Sequence, residues 1–289
     1  MNYLLGIKVV TFFAFLLTPV ITIAAPTKVS SFKDFKSSKI SSYAAAVIDS
    51  TSGEILFGKR ENEKKPVASI TKIVGASVFL GRNPDLEKKA KMAKEDEVGG
   101  GRLKLPVGTT FSVKNFLYGS LIGSANNAAT ALIRLSGLGK SSFVSKMNDL
   151  AESAGAEEAQ FVDACGLSPE NRASAKEMAL IGAKVYSDQY LCKISAKKSY
   201  SFKINDGKGT KTIIHTSPLV SSSNSKFRVL AAKTGYLPEI GNNLLAKIEN
   251  KKDRNAKIIV VTFGAKNQSS ATRDITNLAK WVFKNYEWN

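Results

Sequence analysis

Hydrophobic and polar positions recur with different periods along the chain, and the periods predict its elements. From Pro66 to Leu80 the residues are apolar on every side, with Lys72 as the only charge, which is the pattern of a helix buried in a core. Phe116 to Gly137 reads as two helical stretches broken near Gly123, with Ser124 and Asn126 on the turn between them. Val229 to Tyr236, Asn243 to Ile248 and Ile258 to Phe263 read as strands, the last two joined by the charged turn 249–255. An amphipathic helix follows, with Ile275, Leu278, Ala279, Val282 and Phe283 on one face. The coarse order is two strands, a large and mostly helical middle, three strands and a final helix. It predicts an α+β fold: an antiparallel sheet of about five strands covered by terminal helices, with a helical subdomain inserted between the second and third strands. One domain is expected over 40–289, after a flexible lead-in over 26–39 that is rich in Ser and Lys; no internal repeat is evident.

Three short motifs stand in order on this framework: Ser69-Ile-Thr-Lys72, Ser124-Ala-Asn126 and Lys233-Thr-Gly235. Each is weak alone. Ser-x-x-Lys also occurs at Ser30/Lys33, Ser195/Lys198 and Ser223/Lys226, and Ser-x-Asn at Ser222/Asn224. Context separates them. Ser69 and Lys72 share one face of an apolar helix, so the amine reaches the hydroxyl, and desolvation lowers the pKa of a lysine toward that of a usable base. The other Ser-x-x-Lys matches lie in polar, lysine-rich stretches that suit solvated lysines. Ser124 and Asn126 suit a cleft turn, or an N-cap cluster. Lys233-Thr-Gly235 near a strand end suits an edge along which a peptide lies as an added strand, or a plain strand with an exposed lysine. Together the three describe a serine acyl-transfer site with a lysine base.

With these motifs the chain resembles the serine D-alanyl-D-alanine carboxypeptidases and endopeptidases, the low-molecular-mass penicillin-binding proteins. The likeness runs from about Ser41 to Phe283 and includes the segment 44–56, which resembles the family's opening hairpin, and the segments 143–154 and 166–175, which resemble its middle region. The resemblance implies a β-lactamase/DD-peptidase-like fold and an attack by Ser69 on a D-Ala-D-Xaa carbonyl after Lys72 takes its proton. It further implies an oxyanion hole from the amides of Ser69 and Tyr236, and Ser124 protonating the leaving amine. Asn126 would bind the acylated peptide, while Lys233 and Thr234 bind the substrate carboxylate and Lys233 depresses the pKa of Lys72. Peptidoglycan stem peptides are the implied substrates and β-lactams the implied inhibitors. Two departures stand out. Neither the further β-rich domain nor the C-terminal amphipathic anchor of many carboxypeptidases is expected, since the last helix fits sheet packing. Cys165 replaces the family's usual small hydroxyl residue.

Composition adds bounds. Lys8, the uncharged run 9–17, Pro19 and the small residues ending at Ala25 read as an export signal over 1–25, with cleavage after Ala25 expected and an uncleaved anchor as the alternative. Export and a monomer at the envelope are therefore expected. Cys165 and Cys192 allow a disulfide or two free thiols. One histidine and two cysteines cannot build the usual zinc sites, so no metal or other cofactor is expected, and His215 lies in a polar stretch without a nucleophile elbow. The net charge of +18 favours anionic polymers or reflects a solvated lysine-rich surface. Nucleic acid is not expected, because aromatic residues are not interleaved with the basic clusters.

Two rival functions remain. A class A β-lactamase deacylates with a glutamate between the second and third motifs; here Glu157, Glu158 and Glu170 occupy that interval outside the Glu-x-x-x-Asn setting. A catalytically idle wall-binding protein would not need three intact motifs.

Overall fold

The computed structural model describes residues 25–288, so the segment read as an export signal lies almost entirely outside the described residues. The hairpin of β1 (Ala44–Asp49) and β2 (Ile55–Lys59) opens the domain. The insertion follows with α1 (Thr71–Leu80), α2 (Val113–Leu121), α3 (Asn126–Leu135), α4 (Lys140–Glu152), α5 (Ala175–Val185) and α6 (Gln189–Ser195). It ends in a second hairpin, β3 (Ser199–Ile204) and β4 (Gly209–Ile214). Then come β5 (Phe227–Leu237), β6 (Gly241–Asn250), β7 (Lys257–Ala265) and α7 (Gln268–Asn285).

The five-stranded sheet has the order β5-β6-β7-β1-β2, antiparallel throughout, which leaves β5 at an edge. Why β1 is continuously apolar is now plain. Successive side chains point to opposite faces of a strand, and both faces are covered. Ala44, Ala46 and Ile48 join a core shared with the insertion, together with Val261, Phe116, Leu132 and Phe143. Ala45 and Val47 join a second core under α7, with Ile275, Leu278 and Val282. The insertion side of the sheet is covered by α5 rather than by a second terminal helix. Capping fixes where these helices begin. Ser174 and Glu177 form a reciprocal capping box at α5, and the Asn267 side chain accepts from Ser270 N at α7.

Residues 26–39 differ from the flexible lead-in expected. Thr27–Lys28 pairs with Tyr286–Glu287, Trp281 Nε1 donates to the Lys33 carbonyl at 2.6 Å, and against Trp281 Phe32 packs edge-on and Phe35 at a tilt. Two aromatic anchors in a Ser/Lys-rich stretch are enough to hold it to α7. Immediately after it, Asp274 Oδ2 accepts from the amides and hydroxyls of both Ser41 and Ser42 at 2.7–3.0 Å. Among the described residues no helix is long and apolar enough to cross a membrane.

Candidate active site

Ser69 stands on a single 3-10 turn, Ala68–Ile70, that leads directly into α1. The expected buried helix therefore begins two residues after the serine. Ala68 adopts a left-handed φ of 54°, uncommon for a residue with a side chain, and the turn presents the half-buried Ser69 to the cleft. One neighbour makes this turn possible. A Cβ on Gly166 would stand 1.9 Å from the Ala68 carbonyl oxygen, so only glycine fits there.

Lys72 lies one turn along and is completely buried. Three oxygens surround its amine: Ser69 Oγ at 2.7 Å, Asn126 Oδ1 at 2.7 Å and the Cys165 carbonyl. The three oxygens suit the three N–H groups of an ammonium, and once it loses a proton the amine keeps two N–H groups for Asn126 and Cys165 and can turn its lone pair to the Ser69 O–H. Burial pushes the Lys72 pKa down to about 8, against the opposing pull of Cys165 and Asp163. The Asp163 carboxylate itself is occupied by the amides of Cys165, Gly166 and Ser168 and by the Asn171 side chain, which rigidifies the loop carrying the Cys165 carbonyl.

The second motif sits where α2 breaks. Ser124 has φ 55° on the turn, and Asn126 is the first residue of α3. The Asn126 side chain donates from Nδ2 to the Gly99 carbonyl at 2.9 Å, which fixes its Oδ1 toward Lys72. From the sheet edge, the buried Lys233 donates to Ser124 Oγ at 2.7 Å and to the Thr234 carbonyl at 2.8 Å. Its pKa is held well below the usual lysine range, first by burial and then by repulsion from Lys72. Burial is the first cause at both amines, and the repulsion between them is mutual. The third motif comes close to the first. A Cβ on Gly235 would lie 2.9 Å from the Val67 carbonyl and 3.2 Å from Ser69 N, so a side chain there would push β5 off the nucleophile turn. Tyr236, next on β5, is exposed. Ser69, Lys72 and Asn126 on one side and Ser124 and Lys233 on the other are thus brought together by these contacts, with Gly235 against the nucleophile turn and Thr234 and Tyr236 beside it on β5.

The profile of the D-alanyl-D-alanine carboxypeptidase family matches residues 31–267. The chain belongs to this family. It is 33% identical over 229 residues to the D-alanyl-D-alanine endopeptidase of Haemophilus influenzae, covering 78% of this chain and 76% of that one. It is 27% identical over 255 residues to the D-alanyl-D-alanine carboxypeptidase DacF of Bacillus subtilis, covering 84% of this chain and 62% of that one. The solved D-alanyl-D-alanine carboxypeptidase of Mycobacterium tuberculosis superposes with a TM-score of 0.75 at 21% identity, over 90% of this chain and 96% of that one. A mutant of a Streptomyces DD-transpeptidase gives 0.77 at 23%, over 85% of this chain and 98% of that one. At such identities the superpositions establish the fold, and the family membership makes the protein a serine DD-peptidase.

Within this family setting, two groups escaped the sequence reading. Thr216 Oγ1 lies 2.6 Å from Thr234 Oγ1, and the Thr216 amide donates to the Ile122 carbonyl, so one residue ties β5 to the Ser124 turn. Nothing in a His-Thr-Ser-Pro stretch signals this. The Cys165 contribution is a backbone carbonyl, which no side-chain motif encodes; its thiol is free and buried, and Cys192 is also unpaired. The other Ser-x-x-Lys matches make no hydrogen bond with Lys72 among the described residues, and Glu157, Glu158 and Glu170 are exposed and are not among its partners.

Proposed function

We propose that Ser69 is the nucleophile of this serine DD-peptidase, acting on the carbonyl of the penultimate D-alanine in peptidoglycan stem peptides. The observation that carries this reading is the wholly buried Lys72 amine, 2.7 Å from Ser69 Oγ, with a pKa near 8. Neutral Lys72 takes the hydroxyl proton as Ser69 attacks. The amides of Ser69 and Tyr236 hold the oxyanion, a role supported by the close approach of Gly235 to the nucleophile turn. Ser124, fed by the Lys233 hydrogen bond, passes a proton to the departing amine. Asn126 positions Lys72 and lines the acylated strand. Lys233, Thr234 and Thr216 form the end that takes the substrate carboxylate. Water then releases the acyl group.

The same nucleophile opens β-lactams. The exposed glutamates of the middle region leave the acyl-enzyme without a carboxylate base, so the penicilloyl adduct is long-lived and the β-lactamase reading falls behind. The protein works as an exported monomer on the cell wall, without nucleic acid. The test is incubation with a fluorescent penicillin, followed by denaturing gel and intact mass. A stable single adduct on the wild type and none on Ser69→Ala is the expected result; penicillin hydrolysis without an adduct would return the assignment to a β-lactamase. Product analysis with a stem pentapeptide and a cross-linked dimer then separates terminal trimming from cross-link cleavage.

A further inference from the structure

The chain has a single histidine, His215, which directly follows β4. Only 6% of it is exposed, although the surrounding sequence is polar. The ring lies beside Lys233 and the Ala232 backbone of β5, and beside the Ser195 backbone at the end of α6. Burial, and then Lys233, pushes its pKa down to about 4, so the imidazole is neutral at neutral pH. Its Nδ1 accepts from the Ser217 amide at 2.9 Å, which puts the ring proton on Nε2. Nε2 is itself buried and makes no hydrogen bond among the described residues.

A core position occupied for packing alone would suit an apolar side chain of similar size, which leaves no buried donor unpaired. What the imidazole adds is the Nδ1 acceptor, and the backbone around it needs one. Three successive amides follow the hairpin: His215 N donates to the Lys198 carbonyl at 2.9 Å, Thr216 N to the Ile122 carbonyl at 3.1 Å, and Ser217 N to His215 Nδ1. The first two bonds are made to main chain. The third depends on a side chain, and Ser217 is completely buried, so solvent does not stand in for it. The Ser217 hydroxyl in turn accepts from Leu219 N and starts the helical turn Pro218–Ser221. Between these two held residues stands Thr216, whose Oγ1 lies 2.6 Å from Thr234 Oγ1 on β5.

Resting on the Ser69 assignment and the carboxylate-binding end described above, we propose that His215 is a positioning residue: by holding the Ser217 amide, its Nδ1 keeps Thr216 on Thr234 and so sets the geometry of the end that takes the substrate carboxylate. The imidazole transfers no proton and touches no substrate. Without the acceptor a buried N–H is left unpaired, and the turn 215–217 relaxes to find it a partner. Thr216 Oγ1 moves with the turn, and a displaced hydroxyl weakens the hydrogen bonding offered to a carboxylate. The effect therefore belongs to ligands that carry that carboxylate. An asparagine at this position keeps an acceptor that reaches the amide two residues on, whereas a leucine fills the space without one.

The test compares wild type with His215→Leu and His215→Asn on two stem pentapeptides that differ only in ending in D-alanine or in D-alaninamide. Wild type should turn over the acid at least about tenfold better in kcat/KM. His215→Leu should raise KM for the acid about five- to tenfold, change kcat less than about twofold, and leave kcat/KM for the amide near its wild-type value. His215→Asn should recover most of the loss. On a Thr216→Val background, His215→Leu should add less than about a twofold further loss, because it acts through that threonine. Equal losses on acid and amide, no rescue by asparagine, or a full additional loss beside Thr216→Val would overturn the proposal. Should His215→Leu fail to fold, as read by chemical denaturation, His215→Ala takes its place; failure of both would make the residue a support of the fold alone and would equally overturn it. A wild type that treats acid and amide alike would remove the carboxylate-binding end and the proposal with it, whereas a wild type that forms no adduct with fluorescent penicillin would strike the Ser69 assignment itself.

Discussion

A lysine serves as a base only when its amine sheds a proton near the working pH, and at Lys72 complete burial brings this about, lowering its pKa to about 8. Because the neutral amine is the active form, the acylation rate should climb about tenfold per pH unit below that value and level off above it. Stopped-flow acylation by penicillin between about pH 5.5 and 10 measures this. The profile should contain no histidine limb. His215, near Lys233, has its pKa pushed down to about 4 by burial and then by that lysine, so it stays neutral across the range; a second inflection near pH 6.5 would contradict this. Thr216 makes a different prediction. Thr216→Val strips Thr234 of a 2.6 Å partner and should raise KM for stem peptides about tenfold, roughly 1.4 kcal/mol, with a smaller change in kcat. The Ser69–Lys72 pair was legible in the sequence because both members lie three residues apart on one helical run. Thr216 and the Cys165 carbonyl were not, since they reach their partners across 18 and 93 residues.

Elements with a strongly apolar run or face were legible in the sequence, and those that are mostly polar were not. The three late strands announce themselves by short continuous apolar runs, and β5 carries Lys233 and Gly235 to the sheet edge as expected. The hairpin β3–β4 did not, because Ser199 to Ile214 is largely polar and only Phe202 and Ile213 are buried in it. The strap over 26–39 was hidden for a similar reason, its aromatic anchors being diluted by Ser and Lys. Asp274 is the knot that ties the start of the domain to α7, with four donors on one oxygen. Asp274→Ala would leave two amides without their acceptor and should cost about 2–4 kcal/mol. Chemical denaturation should register this, while the acylation rate of the folded fraction stays unchanged. In the cleft, Gly166→Ala forces the loop off the Ala68 carbonyl. It should slow acylation at least about a hundredfold through displacement of Ser69.

Across the whole molecule, charge divides into two populations that salt should separate. Lys72 and Lys233 are fully buried, and their interactions run through direct hydrogen bonds. Most of the net charge of +18 belongs instead to exposed side chains. One concentration is a groove of about 250 Å³ lined by Lys226, Lys252, Lys280 and Lys284, with no acidic residue in its lining. Exposed charges more than about 10 Å apart are screened at 0.1 M salt, whereas buried ones are screened far less. Raising salt from about 0.05 to 0.5 M should therefore leave penicillin acylation nearly constant. Over the same range, binding to isolated peptidoglycan sacculi should weaken by an order of magnitude or more, because an anionic polymer is held by the summed field of the surface lysines. Co-sedimentation with sacculi, run beside the acylation assay on one preparation, measures both quantities. If sacculus binding proved independent of salt, the lysine-rich surface would be a solvated coat, and attachment to the wall would rest on the cleft alone.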